Sequence, residues 1–224
     1  MEPGLVVFDL DGTLIDGYAA IADSLEFAML RMGFLPLPPG EVRRMVGEGL
    51  ERLLEKAVGS ARAEDGVRLF RERYPEVAVS MTELMPGVRE TLEELELAGW
   101  RMAVASNKPA RFSKMILDAN AISGYFVTVG GPDGEVPPKP DPVMLRRILA
   151  HAGVTPAEAV VVGDMEIDAQ FARAVGCPIV LIPGGSRTEK ELAAENPDAL
   201  LSSIRDLPSW LAGKSTGHLS GSAD

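Results

Sequence analysis

Five short stretches, Leu5–Phe8, Met102–Ala105, Phe126–Val129, Ala159–Val162 and Ile179–Ile182, are almost continuously apolar and rich in β-branched residues. A strand covered on one face alternates apolar and polar positions, whereas a strand buried on both faces does not. These stretches therefore predict a parallel sheet with helices on both sides. Between them run amphipathic helical patterns. Val88–Ala98 follows Pro86-Gly87 and stops at Gly99, and Ile167–Val175 stops at Gly176. Arg111–Ala119 and Pro142–His151 follow the same logic. Strand and helix in alternation predict a doubly wound α/β core.

One region breaks the alternation. From Gly17 to Glu83 the periodicity is helical, with helices expected at Ile21–Met32, Val42–Val46, Leu50–Val58 and Val67–Tyr74. Pro36, Pro38, Pro39, Gly47, Gly49 and Gly59 punctuate them. The chain thus divides into a core of residues 1–16 and 84–212 and a helical insertion of residues 17–83 after the first strand. Residues 213–224 form a small, polar tail expected to be disordered. Within it, Gly213-Lys214-Ser215 looks like the end of a phosphate-binding loop. The glycine such a loop needs five residues earlier is Pro208, so no nucleotide site is expected there.

Composition narrows the function. The 224 residues are 46% hydrophobic, enough for a sizeable core. The formal charge of −11 argues against nucleic acid and against an anionic membrane surface as partners. An anionic substrate would need a local device to reverse the field, and a divalent cation supplies one. No apolar stretch reaches the ~18 residues of a membrane helix, and Glu2 speaks against a secretory leader. Cys177 is the sole cysteine, so no internal disulfide forms and a cytoplasmic location is expected; beside a buried strand, it reads as a core residue. His151, at a helix end, reads as a surface residue.

In an open parallel sheet, ligands bind beyond the carboxyl ends of the strands. The first strand runs into Asp9-Leu10-Asp11-Gly12-Thr13, the second into Ser106-Asn107, and the fourth into Gly163-Asp164 with Asp168 four residues on. After the third comes a Gly/Pro-rich loop leading to Lys139-Pro140-Asp141-Pro142. Taken singly, each has a structural explanation. Asp11-Gly12 suits a turn, Asp164 and Ser106 suit helix caps, and Lys139-Pro140 suits a solvated turn. Together they put carboxylates, a hydroxyl and an ammonium at one sheet edge, a costly cluster without a cation to hold it.

These ordered motifs resemble those of the haloacid dehalogenase-like phosphohydrolase superfamily, from Leu5 to about Leu211. The insertion resembles that superfamily's small helical cap over a Rossmann-like core. Val46-Gly47-Glu48-Gly49-Leu50 and Lys139-Pro140-Asp141-Pro142 are similar to phosphoglycolate phosphatases. The resemblance implies hydrolysis of a small phosphorylated metabolite, 2-phosphoglycolate first, through an aspartyl-phosphate. It casts Asp9 as nucleophile and Asp11 as general acid and base. Mg²⁺ would be held by the Asp9 carboxylate, the Asp11 backbone carbonyl and the Asp164 carboxylate, with Asp168 supporting that shell. Ser106, the Asn107 amide and Lys139 would meet the phosphoryl oxygens. Arg43 and Arg44, near the Gly47–Gly49 turn, are either a solvated helix face or groups that reach a substrate carboxylate. Gly17 stands where many relatives have serine. Sugar-phosphate phosphatase, pyrophosphatase and sugar-phosphate mutase remain alternatives within the superfamily, and a phospho-aspartate signalling module outside it. A dehalogenase is disfavoured by Asp11, and Lys56 has nothing around it to suggest a Schiff base.

Overall fold

The computed structural model of the chain describes residues 3–216. In chain order it forms β1 (Leu5–Phe8), β2 (Ile15–Asp16), α1 (Tyr18–Arg31), α2 (Pro39–Met45), α3 (Leu50–Val58) and α4 (Ala63–Val77). Then follow β3 (Glu83–Leu84), α5 (Val88–Leu97), β4 (Arg101–Ala105), α6 (Ala110–Ala119), β5 (Phe126–Gly130), α7 (Val143–Ala152) and β6 (Ala159–Gly163). The chain continues through α8 (Glu166–Arg173), β7 (Ile179–Leu181), α9 (Glu189–Ala194), β8 (Ala199–Leu200) and α10 (Leu207–Thr216), with short 3₁₀ turns between.

The six main strands make one sheet in the order β5-β4-β1-β6-β7-β8, with every pairing parallel. Successive side chains on these strands point to opposite faces. Val6, Phe8, Met102, Val104, Val160 and Val162 accordingly enter one core, with Leu92, Ile116 and Leu211. Leu5, Val7, Ala103, Ala105, Val161 and Leu181 enter the other, with Leu145, Leu149 and Phe171. Burial on both faces is why these strands read as unbroken apolar runs. The chain winds from β1 outward to β4 and β5, then returns to the other side of β1 at β6. The crevice between the carboxyl ends of β1 and β6 is therefore the point where winding reverses, the usual ligand position in such sheets.

The insertion leaves and re-enters the core through one narrow crossing. β2 and β3 pair antiparallel, Ile15 opposite Leu84 and Asp16 opposite Glu83. Between them α1 to α4 pack on one another around Leu25, Leu54, Phe70 and Tyr74, and that apolar cluster runs on into the core through Leu14 and Ile15.

Several boundaries differ from the sequence reading. α1 starts at Tyr18 because the Asp16 carboxylate accepts the Tyr18 N–H at 3.2 Å, so the first turn lies before the apolar stripe. α4 starts at Ala63 and runs through Pro75 to Val77, although the proline reads as a stop. The two-residue strands β2, β3 and β8 are too short to show a period. α9 did carry a signal, the Thr188–Glu191 capping box, in which each side chain meets the other residue's backbone N–H. The tail expectation needs correction too. α10 continues through Gly213 to Thr216, carried past the buried Leu207 and Leu211 by helical propagation, so residues 213–216 are helical. Residues 217–224, including His218, lie outside the described residues.

Candidate active site

Asp9 is the first residue beyond β1, and its N–H is held by the Val162 carbonyl at 2.8 Å, so it sits in the reversal crevice. After it the chain turns back on itself. Gly12 has φ of 88° and donates to the Ile15 carbonyl at 2.8 Å. A side chain there would be strained, and its Cβ would come within 2.5 Å of Asp164 Oδ2. Across the crevice, Asp164 follows β6 and Asp168 lies in the first turn of α8. The Asp168 Oδ2 accepts the N–H groups of Asp164 and Met165, both at 3.2 Å, which fixes the loop that presents Asp164.

Lys139 closes this cluster. Its buried Nζ donates to Asp9 Oδ1 at 2.6 Å and to Asp168 Oδ1 at 2.7 Å. Burial alone would push the Lys139 ammonium down, yet Asp168 and Asp9 outweigh it and hold its pKa above the usual lysine range. Burial pushes the Asp9 carboxyl up, against the pull of Lys139 and with the help of Asp168, to about 6. Asp164 is raised well above the usual carboxylate range, by burial first and then by Asp9 and Asp168.

Asp9, Asp164 and Asp168 place carboxylate oxygens within 4.8 Å of one another, a spacing that could hold a metal ion. Two further observations fit a cation. Asp164 Oδ1 accepts from Thr13 at 3.3 Å, but its buried Oδ2 has no hydrogen-bond partner, and neither does the buried Tyr18 hydroxyl. Both oxygens flank Gly185, where a Cβ would lie 1.7 Å from the carboxylate and 2.8 Å from the hydroxyl. A buried carboxylate oxygen without a partner is costly unless a cation pairs it. The donor set is all oxygen, which suits a hard divalent ion.

The phosphoryl-side candidates also converge. Ser106 is buried, and its Oγ accepts the Lys108 N–H at 3.1 Å, which leaves its own proton to donate. The Asn107 side chain ties three segments together. Its Oδ1 accepts the Lys139 N–H at 2.6 Å, while Nδ2 donates to the carbonyls of Lys139 at 3.2 Å and of Gly47 in the insertion at 2.9 Å. The side chain thus braces the Lys139 loop, leaving its backbone amide as the candidate donor to substrate.

The insertion's arginines are placed differently from the substrate-reaching expectation. Arg43 turns to the core, donating to the Gly184 carbonyl at 2.9 Å and the Gly185 carbonyl at 3.4 Å, with its guanidinium 4.2 Å from the centre of the Tyr18 ring. Arg44 is exposed to solvent. Neither lines the cavity; Arg43 is drawn instead to the carbonyls of the 184–185 loop. Cys177 is buried in the core, as its sequence position implied, and His151 is exposed on α7.

The cavity lies between the sheet edge and the insertion. Polar groups (Asp9, Asp11, Ser106, Lys108, Lys139) make its floor, and apolar and aromatic groups such as Ile21, Leu53, Phe70 and Tyr74 make its roof. Two of its cations were given no role by sequence reasoning. Lys108 is buried, and its Nζ donates to Asp11 Oδ1 at 2.7 Å. It directly follows Ser106-Asn107, and its place at a strand's carboxyl end was the available signal. Arg71, half exposed, reaches the rim from α4 and pairs with Glu51 at 2.8 Å. Nothing in the local pattern around Arg71 distinguishes it from a solvated helix face.

Acidic groups gathered around a buried lysine, at the reversal point of a doubly wound sheet and under an inserted helical layer, define a hydrolytic enzyme of the Rossmann-like class. The comparison with known proteins agrees, and the chain belongs to the haloacid dehalogenase-like hydrolase family, whose profile matches residues 6–182. It is 36% identical to the phosphoglycolate phosphatase of Pseudomonas putida KT2440, over 96% of this chain and 82% of that protein. It is 37% identical to the phosphoglycolate phosphatase of Aquifex aeolicus, over 91% of this chain and 94% of that one. Among solved structures, a predicted phosphoglycolate phosphatase from Haemophilus somnus 129PT superposes with a TM-score of 0.87 at 27% identity, covering 94% of this chain and 99% of its own. Among the described residues no helix is long and apolar enough to cross a membrane.

Proposed function

We propose that this chain is a Mg²⁺-dependent phosphatase that hydrolyses a small phosphate monoester, 2-phosphoglycolate, through an aspartyl-phosphate on Asp9. The observation that carries the reading is the placement of Asp9, at the reversal point of the sheet, hydrogen-bonded to Lys139 and beside the unpartnered oxygen of Asp164. The name shared by its relatives supports the substrate.

The Asp9 carboxylate attacks phosphorus, and the P–O bond to the leaving alcohol breaks as a carboxyl–phosphorus bond forms. Asp11 gives a proton to the leaving oxygen. A water then attacks the same phosphorus, Asp11 takes its proton, and phosphate departs with Asp9 regenerated. Ser106, the Asn107 amide and the Lys139 ammonium hold the phosphoryl oxygens in both halves. Mg²⁺, held by the carboxylates of Asp9 and Asp164 and the Asp11 carbonyl, with Asp168 bracing Lys139 and the Asp164 loop, would offset the phosphate charge when bound. The helical insertion serves as the cap, excluding water above Asp9. Its occupant is a free metabolite in the cytoplasm, in keeping with one buried cysteine and a strongly acidic chain.

The test is phosphate release from a panel of monoesters by the wild type, with Mg²⁺ and with chelator, alongside Asp9→Asn. We expect Mg²⁺-dependent turnover led by 2-phosphoglycolate, and a loss of at least ~10³-fold in the variant. A variant keeping a tenth of wild-type activity would remove Asp9 as nucleophile, and full turnover without metal would remove the cation.

A further inference from the structure

We infer that Lys108 recognises a carboxylate on the leaving group, one carbon from the ester oxygen, and so sets the substrate class as 2-phosphooxy carboxylates. This rests on the phosphatase reading above.

Three cations line the cavity. Lys139 already serves two carboxylates, at 2.6 and 2.7 Å, on the phosphoryl side. Arg71 stands at the rim, with its guanidinium on Glu51 and half its side chain in solvent. Lys108 differs from both. It is buried, it lies on the Asp11 side where the leaving group must pass, and it binds one carboxylate rather than two. An ammonium has three protons to give, and Lys139 shows that this site tolerates two carboxylates on one lysine.

The distances set the position of the anion. Lys108 Nζ is 2.7 Å from Asp11 Oδ1, the group assigned to protonate the leaving oxygen. In a 2-phosphooxy carboxylate the ester oxygen and the nearer carboxylate oxygen lie about one hydrogen-bond length apart. A leaving oxygen at Asp11 therefore puts that carboxylate at Lys108, whereas an added methylene carries it toward the apolar roof. The roof there offers no charge: Tyr74 presents its ring, centred 5.5 Å from Nζ, and a buried hydroxyl that has no hydrogen-bond partner. Gly17 keeps this corner open. A Cβ there would come within 2.4 Å of Asp11 Oδ1 and 3.4 Å of Lys108 Nζ, so any side chain at this position would crowd the pair. Burial by apolar groups also makes a charge-assisted contact at Lys108 stronger than one at the wet rim.

The experiment measures kcat/KM of the Mg²⁺-loaded enzyme for 2-phosphoglycolate, for 2-hydroxyethyl phosphate and for 3-phosphooxypropanoate. The second substrate replaces the carboxylate by a neutral alcohol, and the third moves it one carbon away. The wild type should prefer 2-phosphoglycolate over both. Lys108→Met affects Asp11 with every substrate, so the reading is the ratio between substrates. The ratio of 2-phosphoglycolate to 2-hydroxyethyl phosphate should fall roughly 10- to 150-fold, the scale of one charge-assisted bond. Arg71→Ala should keep the wild-type ratio. If Lys108→Met does not fold, Lys108→Gln, which keeps a donor toward Asp11, supplies the uncharged variant and the same fall is expected. An unchanged ratio in the uncharged variant, a collapse produced by Arg71→Ala instead, or a wild type indifferent to the carboxylate overturns the assignment to Lys108 while leaving the phosphatase standing. A wild type that releases phosphate from no monoester removes both.

Discussion

Lys139→Met is the sharpest probe of how the acidic cluster is held together. The ammonium lies 2.6 Å from Asp9 and 2.7 Å from Asp168, and it is 4% exposed. Methionine matches its length and apolar stem without the charge. Three carboxylates within 4.8 Å of one another then face each other with no cation among the side chains that pair them. At an effective dielectric of ~20, two like charges at that spacing repel by about 3 kcal/mol. Breaking a buried ion pair from one side costs about 3–5 kcal/mol. For a chain of this size each kcal/mol moves Tm by about 2–4 °C, so the metal-free variant should melt roughly 6–20 °C below wild type at pH 7.5. Saturating Mg²⁺ should narrow the gap, because it supplies the missing positive charge to the same carboxylates. Turnover should still fall by at least ~10²-fold, since the phosphoryl oxygens lose a donor that Mg²⁺ does not replace. Calorimetry with chelator and with Mg²⁺, beside phosphate release, reads all three. A metal-free variant within ~2 °C of wild type, with an unaltered Mg²⁺ response, would show that the cluster does not depend on this lysine.

The Mg²⁺ stabilisation itself should grow with pH. Folding raises Asp9 from 3.8 to about 6, so the folded chain holds that proton more tightly than the unfolded one. Its contribution to metal-free stability is present below pH 3.8 and is lost as pH rises through about 6. The cation binds the ionised form, so its Tm increment should be small at pH 5 and reach about 5–11 °C at pH 7.5 with Mg²⁺ at a hundred times its Kd. An increment larger at pH 5 than at pH 7.5 would refute the linkage. Arg43→Ala should cost about 1–2 kcal/mol by freeing the 184–185 loop from α2, seen as a modest fall in Tm. It should leave the ratio of 2-phosphoglycolate to p-nitrophenyl phosphate near wild type, and a collapse of that ratio would return Arg43 to the substrate.

What the sequence carried by itself was the backbone plan and the floor of the site. Strands buried on both faces must be apolar throughout, so Leu5–Phe8 and Ala159–Gly163 announce themselves in one dimension. The residues that end them, Asp9 and Asp164, must then lie at one sheet edge, because parallel strands all end on the same side. The helical character of residues 17–83 was equally plain from its period, though β2 and β3, which tie it to the core, were too short to leave one. Tertiary structure alone decided which charges meet. The sequence distance from Lys139 to Asp9 is 130 residues and from Lys108 to Asp11 is 97, and no local pattern encodes either pair. The insertion's arginines show the same point from the other side. Arg43 and Arg44 are neighbours in sequence, yet the helical turn sends Arg43 to the 184–185 carbonyls and leaves Arg44 in solvent. Side-chain direction on a helix changes by about 100° per residue, so the substrate-facing cation is chosen by how the insertion packs on the core. That packing left the corner beside Gly17 to Lys108.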